Sequence, residues 1–106
     1  MKENILLVYC TLPNSDEAST IAQTLIDKKL AACCNIIPGL LSMYFWDNKV
    51  QSDNELLLIL KSKQNLFKLL EKRIIDLHPY EIPEIIAVPI LKGNQAYLNW
   101  INQNVK

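Results

Sequence analysis

The sequence predicts an α+β fold, one antiparallel sheet with two helices on one face and a further helix at the C-terminal end. Three observations predict it. The apolar period changes repeatedly between strand-like runs and the ~3.6-residue spacing of an amphipathic helix. Two long extended stretches follow each other around Asp47-Asn48, a pair that tolerates positive φ and so closes a hairpin. Two prolines fall in strands, and both lie in those that would be sheet edges, not in the interior, where a missing N–H breaks the ladder.

Each element has its own signal. Asn4 to Cys10 is an apolar run ending at Thr11-Leu12-Pro13, and reads as a buried strand. Asn14 or Ser15 offers an N-cap, and Asp16 and Glu17 favour the positive end of a helix dipole. Ala18, Ile21, Ala22, Leu25 and Ile26 recur at helical spacing, so the helix runs roughly from Ser15 to Lys29. Extended segments follow at about Ala31 to Trp46 and Val50 to Ser62. From Gln64 the helical period returns in Leu66, Leu69, Leu70, Ile74 and Leu77, and it must stop before His78-Pro79. Glu84 to Leu91 reads as a fourth strand, Gly93 ends it, Asn94 caps, and Tyr97 to Val105 forms the terminal helix. The order βαββαβ is the ferredoxin-like split pattern, with sheet order 4-1-3-2. Pro38 and Pro89 then lie in the two edge strands.

A chain of 106 residues forms one domain, residues 1–106. Its 11 basic and 11 acidic side chains leave no net charge, against the basic face that a nucleic-acid binder needs. The same balance argues against a polybasic membrane-surface role, and the longest apolar run, Leu56 to Leu60, is far short of the ~20 residues of a membrane span. MKENILLVYC lacks the small-residue cleavage site of a signal peptide, and three cysteines cannot build a disulfide framework. These readings predict a cytoplasmic protein with free thiols.

Ile5 to Val8 and Leu56 to Leu60 are apolar on both strand faces, although helices cover only one. The hairpin is too long for a compact subunit and carries Met43, Tyr44, Phe45 and Trp46 at its tip. Both features predict a homo-oligomer.

Three groups of residues could carry chemistry. Cys10, Cys33, Cys34 and His78 include soft metal donors, but the cysteines serve equally as small buried apolar groups. Cys33 and Cys34 are neighbours in a strand, so they point to opposite faces and do not share an ion. His78-Pro79-Tyr80-Glu81-Ile82-Pro83-Glu84 is either a stiff connection or a preorganised polar site. On the hairpin, alternation puts Lys49, Glu55 and Lys61 on one face with Tyr44 and Trp46, either a ligand wall or a subunit contact. There is no Gly-rich phosphate loop or nucleophile elbow, and no enzyme is expected.

YCTLPN, KKLAACCNIIPG, SMYFWDNKV, DNELLLILK, HPYEIPEIIAVPI and YLNWI, in that order, resemble the successive motifs of the divalent-cation tolerance protein CutA family. The resemblance covers essentially the whole chain. It implies a tight cytosolic homotrimer, similar in architecture to the PII signalling proteins, linked to copper and other divalent-metal tolerance and without an established catalytic activity. The family's proposed copper thiol falls on Cys10 and its proposed histidine on His78. This chain has Leu77 where some members carry a second histidine, Cys34 where valine is usual and Asn48 where glycine is favoured. One Cys and one His make a two-coordinate site, sufficient for Cu(I) and incomplete for Zn(II) unless Glu84 or another subunit joins. Copper or another divalent ion is thus the expected ligand, none obligatory. The alternative is a PII-like regulator that binds a small anionic ligand or a partner protein in clefts between subunits. Either way, Tyr80, Glu81 and Glu84 are expected to meet the Lys49/Glu55/Lys61 face across a subunit boundary.

Overall fold

The computed structural model describes residues 4–106; residues 1–3, part of the stretch tested for a signal peptide, lie outside it. The elements are β1 (Ile5–Leu12), α1 (Ser15–Asp27), β2 (Cys33–Trp46), β3 (Lys49–Lys63), α2 (Phe67–Leu77), β4 (Ile86–Pro89) and α3 (Gln95–Gln103), with a 3₁₀ turn at Gln64–Leu66 leading into α2. The sheet runs β2-β3-β1-β4, and every neighbouring pair is antiparallel. Pro38 and Pro89 therefore sit on the two edge strands, where a missing ladder donor is tolerated.

The local chemistry explains the boundaries. Asn14 is the N-cap of α1, its side chain accepting the Glu17 N–H, and Asn94 does the same for α3 through the Tyr97 N–H. At the end of α1 the N–H groups of Lys29 and Leu30 return to the carbonyls of Ile26 and Leu25, and Lys29 takes φ 58°. This is a Schellman ending with lysine in the left-handed position that glycine occupies most cheaply. The hairpin turn has φ 54° at Asp47 and 62° at Asn48, so Trp46 faces Lys49 and Tyr44 faces Gln51. A bulge at Pro38-Gly39 breaks the register between Ile37 and Leu40, with Gly39 at φ 86°.

Several boundaries shift from the sequence reading by a few residues, two of them for a reason visible in the strand pairing. β1 continues through Thr11 and Leu12, because both pair with β3. β4 is shorter than Glu84 to Leu91, since it pairs with β1 only from Ile86 to Pro89; Glu84 and Ile85 remain in the proline-stiffened connection.

Strand alternation then builds the core. Val8, Cys10, Leu12, Leu58 and Leu60 face the helices and are fully buried against Ile21 and Leu25 of α1 and Leu70 and Ile74 of α2. The opposite face lacks helices. Leu7, Tyr9, Leu57 and Ile59 are half-buried there, and Ile37, Ile86 and Val88 are exposed. Along the projecting hairpin, Leu41, Met43, Phe45 and Val50 continue the other face, that of Leu58 and Leu60, and are each 66–69% exposed, and the molecule measures 47 × 26 × 23 Å. Among the described residues no helix is long and apolar enough to cross a membrane.

Candidate functional site

The connection from α2 to β4 folds back over the end of β1 and the base of the hairpin. β4 covers β1 only from Leu6 to Tyr9, which leaves the Thr11 carbonyl beyond its reach. The imidazole of His78 supplies a partner: its Nε2 lies 2.8 Å from that oxygen. A carbonyl can only accept, so Nε2 carries the proton. Nδ1 accepts the Tyr80 N–H at 3.1 Å, and the Tyr80 and His78 rings lie 4.8 Å apart. The buried His78 is thus a neutral imidazole with both nitrogens engaged by backbone.

This clamp positions Tyr80. Its hydroxyl donates to Glu55 Oε2 at 2.6 Å, and Glu55 is buried although it carries a carboxylate. Next along the same sheet face, the Tyr44 hydroxyl donates to Asp53. The Tyr80 phenol is held well above its ordinary range, by burial first and then by the bond to Glu55 and that carboxylate's charge. Tyr44 is raised for a related reason, its hydrogen bond to Asp53 coming first.

Between the hairpin and the connection lies an open cavity of about 700 Å³. Tyr44, Trp46, Glu55, Tyr80, Glu81 and Glu84 line it, as do Thr11, Ser42, Met43, Asp53, Pro79 and Ile82. Its wall therefore carries four carboxylates and three aromatic rings, with no Lys, Arg or His.

Of the eight residues expected to share a cleft, six line this one cavity and two lie elsewhere. Lys49 sits at the hairpin tip opposite Trp46. Lys61 lies near the other end of β3, where its ammonium bonds Asn35 and approaches the Cys33 sulfur at 3.7 Å. The three residues share a face by alternation, but six residues of strand between Glu55 and Lys61 span ~20 Å. A further correction is that Tyr80 and Glu55 meet within a single chain, so no subunit boundary is needed to join them. Asp53 was overlooked, although it lies two residues before Glu55 and so on the same face. Thr11, Ser42, Met43, Pro79 and Ile82 gave no local signal.

The thiols divide by face. Cys33 approaches Lys61 on the open side, whereas Cys34 points to the helix layer and donates to the Ala22 carbonyl at 3.8 Å. Cys10 is fully buried and its thiol is pushed up to about 12, by desolvation first and then by the charges of Glu84 and Glu55. A soft metal would need that thiol as thiolate and a free imidazole nitrogen. Neither is on offer, and among the described residues no group of three or more His, Cys, Asp or Glu is placed to hold a metal ion. Cys10 and His78 do not fit a metal centre within one chain.

A small α+β domain with one uncovered apolar sheet face, a projecting hairpin and an acidic cleft at its base is the class that these observations define. Residues 6–104 match the CutA1 divalent ion tolerance protein family, to which the chain belongs. The divalent-cation tolerance protein CutA of Thermus thermophilus is 47% identical over 98 residues, covering 92% of this chain and 95% of that protein. A solved structure of the divalent cation tolerance protein from Thermus thermophilus superposes with a TM-score of 0.94 at 45% identity, covering 96% of this chain and 99% of that one. CutA1 from Oryza sativa superposes at 0.96 with 41% identity, covering 98% and 95%. The chloroplastic CutA of Arabidopsis thaliana is 43% identical over 95% of this chain, which spans 56% of that longer protein. The family is named for divalent-ion tolerance and not for a reaction.

Proposed function

We propose that this chain serves divalent-cation tolerance as a cytosolic homotrimer of ferredoxin-like subunits, and that cations, copper among them, are collected at the acidic cleft. The observation that carries the reading is a single cavity bounded by Asp53, Glu55, Glu81 and Glu84 with no basic side chain in its wall. Such a concavity focuses negative potential and raises the local cation concentration without a closed coordination sphere. Carboxylates are hard donors, and the cleft is open, so binding is weak and exchangeable, as buffering a fluctuating ion requires. The exposed apolar face and hairpin support the trimer, because a second copy of the same surface is the natural cover for both. The same wall of carboxylates repels an anionic ligand, so no feature of the cleft favours the regulatory alternative.

Calorimetric titration with Zn(II) and Cu(II) tests the site. The double variant Glu81→Gln/Glu84→Gln alters two exposed side chains and is expected to weaken binding by about tenfold, while Cys10→Ala leaves it unchanged. Loss of copper binding in Cys10→Ala, with the double variant unaffected, would overturn the assignment in favour of the thiol.

A further inference from the structure

A second concavity, of about 570 Å³, lies in the helix layer between the end of α1, the outer side of α2 and the end of the chain. Its wall brings together Lys28, Lys29, Lys72, Arg73 and Lys106, against the side-chain carboxylates of Asp27 and Asp76. One of these, Asp76, is taken by Lys72 at 3.4 Å. Among the described residues Lys28, Lys29, Arg73 and Lys106 make no ion pair. In a chain without net charge, four unpaired cations around one cavity mark a local positive field that the overall balance conceals.

The backbone supports a use for this field. Lys29 stands at φ 58°, where glycine would relieve the strain. A cation is held there at a conformational cost, and the backbone N–H of Lys106 ties the chain end to the Lys29 carbonyl at 2.9 Å. The negative end of the α1 dipole opposes an anion less here than a bare helix end would. The carbonyls of Thr24, Leu25 and Ile26 are already occupied by the N–H groups of Lys28, Leu30 and Lys29.

We propose that this pocket binds a small anion carrying two or more phosphoryl groups. Lysine ammoniums match phosphoryl oxygens as point charges, and the planar fork of Arg73 can grip two of them at once. A monovalent carboxylate would leave most of the cations unanswered. The proposal stands apart from the acidic cleft, which lies at the base of the hairpin and draws ions of the opposite sign.

The test is calorimetric titration with inorganic tripolyphosphate in metal-free buffer. Saturable binding that weakens as salt rises is expected. Arg73→Glu is expected to weaken it by about tenfold or more, while Lys92→Glu, the same charge change at an exposed position outside the cavity, shifts it by less than about twofold. Lys29→Gly is expected to raise the melting temperature and to lower the affinity, separating folding from binding. Absence of saturable binding, equal losses in Arg73→Glu and Lys92→Glu, or a Lys29→Gly protein that binds like wild type would each overturn the proposal.

Discussion

At the scale of single residues, the unusual element is a tyrosine that keeps a buried carboxylate satisfied. Glu55 is buried on a sheet face, and the Tyr80 hydroxyl at 2.6 Å is the donor that answers its charge. Tyr80→Phe keeps the ring and removes that donor, so a loss of about 1–3 kcal/mol is expected, read from urea denaturation at fixed protein concentration. His78→Ala removes a donor and an acceptor together and is expected to cost more, while Cys10→Ala leaves the backbone bonds intact. Cys10 also sets a pH dependence. Its thiol rises from an ordinary 9.0 to about 12 on folding. The folded state therefore holds the proton more tightly, and the stability this contributes is complete below pH 9.0 and lost as pH climbs toward about 12. Cys10→Ala should flatten that alkaline decline, leaving the part due to Cys34, which is raised by burial in the same way. In native protein at neutral pH, alkylation should label Cys33 first and Cys10 last.

At the scale of elements, the hairpin turn carries a direct test. Asp47 and Asn48 both occupy left-handed φ, the geometry in which Asp-Gly is the favoured pair. Asn48→Gly is expected to stabilise the hairpin by about 0.5–1 kcal/mol, visible as a higher denaturation midpoint. Elements of this kind are readable from sequence because their causes are local: a cap three residues from its donor, an apolar stripe, a turn pair, a proline at an edge. Even the facing of Trp46 by Lys49 follows from counting outward from the turn. The cleft is only half readable. Alternation places Tyr44, Trp46 and Glu55 on one face, and the HPYEIPE motif marks the other wall, but the bond that joins them links residues 25 positions apart. Lys61 shares the face without sharing the place, because periodicity fixes direction and says nothing of distance along a strand. His78 misleads for a related reason. A histidine beside a cysteine-bearing strand suggests a ligand pair, whereas the strand's short partner creates a vacant carbonyl that the imidazole fills.

At the scale of the whole molecule, charge and apolar surface are segregated. The acidic cleft is at the base of the hairpin, the basic cavity in the helix layer, and the apolar surface spreads over the remaining sheet face. A homotrimer joined through that face should unfold and dissociate in one step, so its melting temperature should rise with protein concentration. Sedimentation at micromolar concentration should give three times the 12.2 kDa of one chain, and a single-chain mass would exclude the assembly. The long hairpin also has a consequence in time. β2 and β3 are adjacent in sequence and joined by a two-residue turn, so their pairing closes a minimal loop and can form in ~1–10 μs. β1 must instead find β3 across the intervening α1 and β2, and β4 must return to β1 from the far end of the chain, both slower searches. The hairpin, with Met43, Phe45 and Val50 exposed, is thus the first surface that a refolding chain can offer to others. Dilution during refolding should then slow the final phase while leaving the earliest one untouched, and the aromatic tip sets how crowded a solution of half-folded chains can be before misassociation competes with assembly.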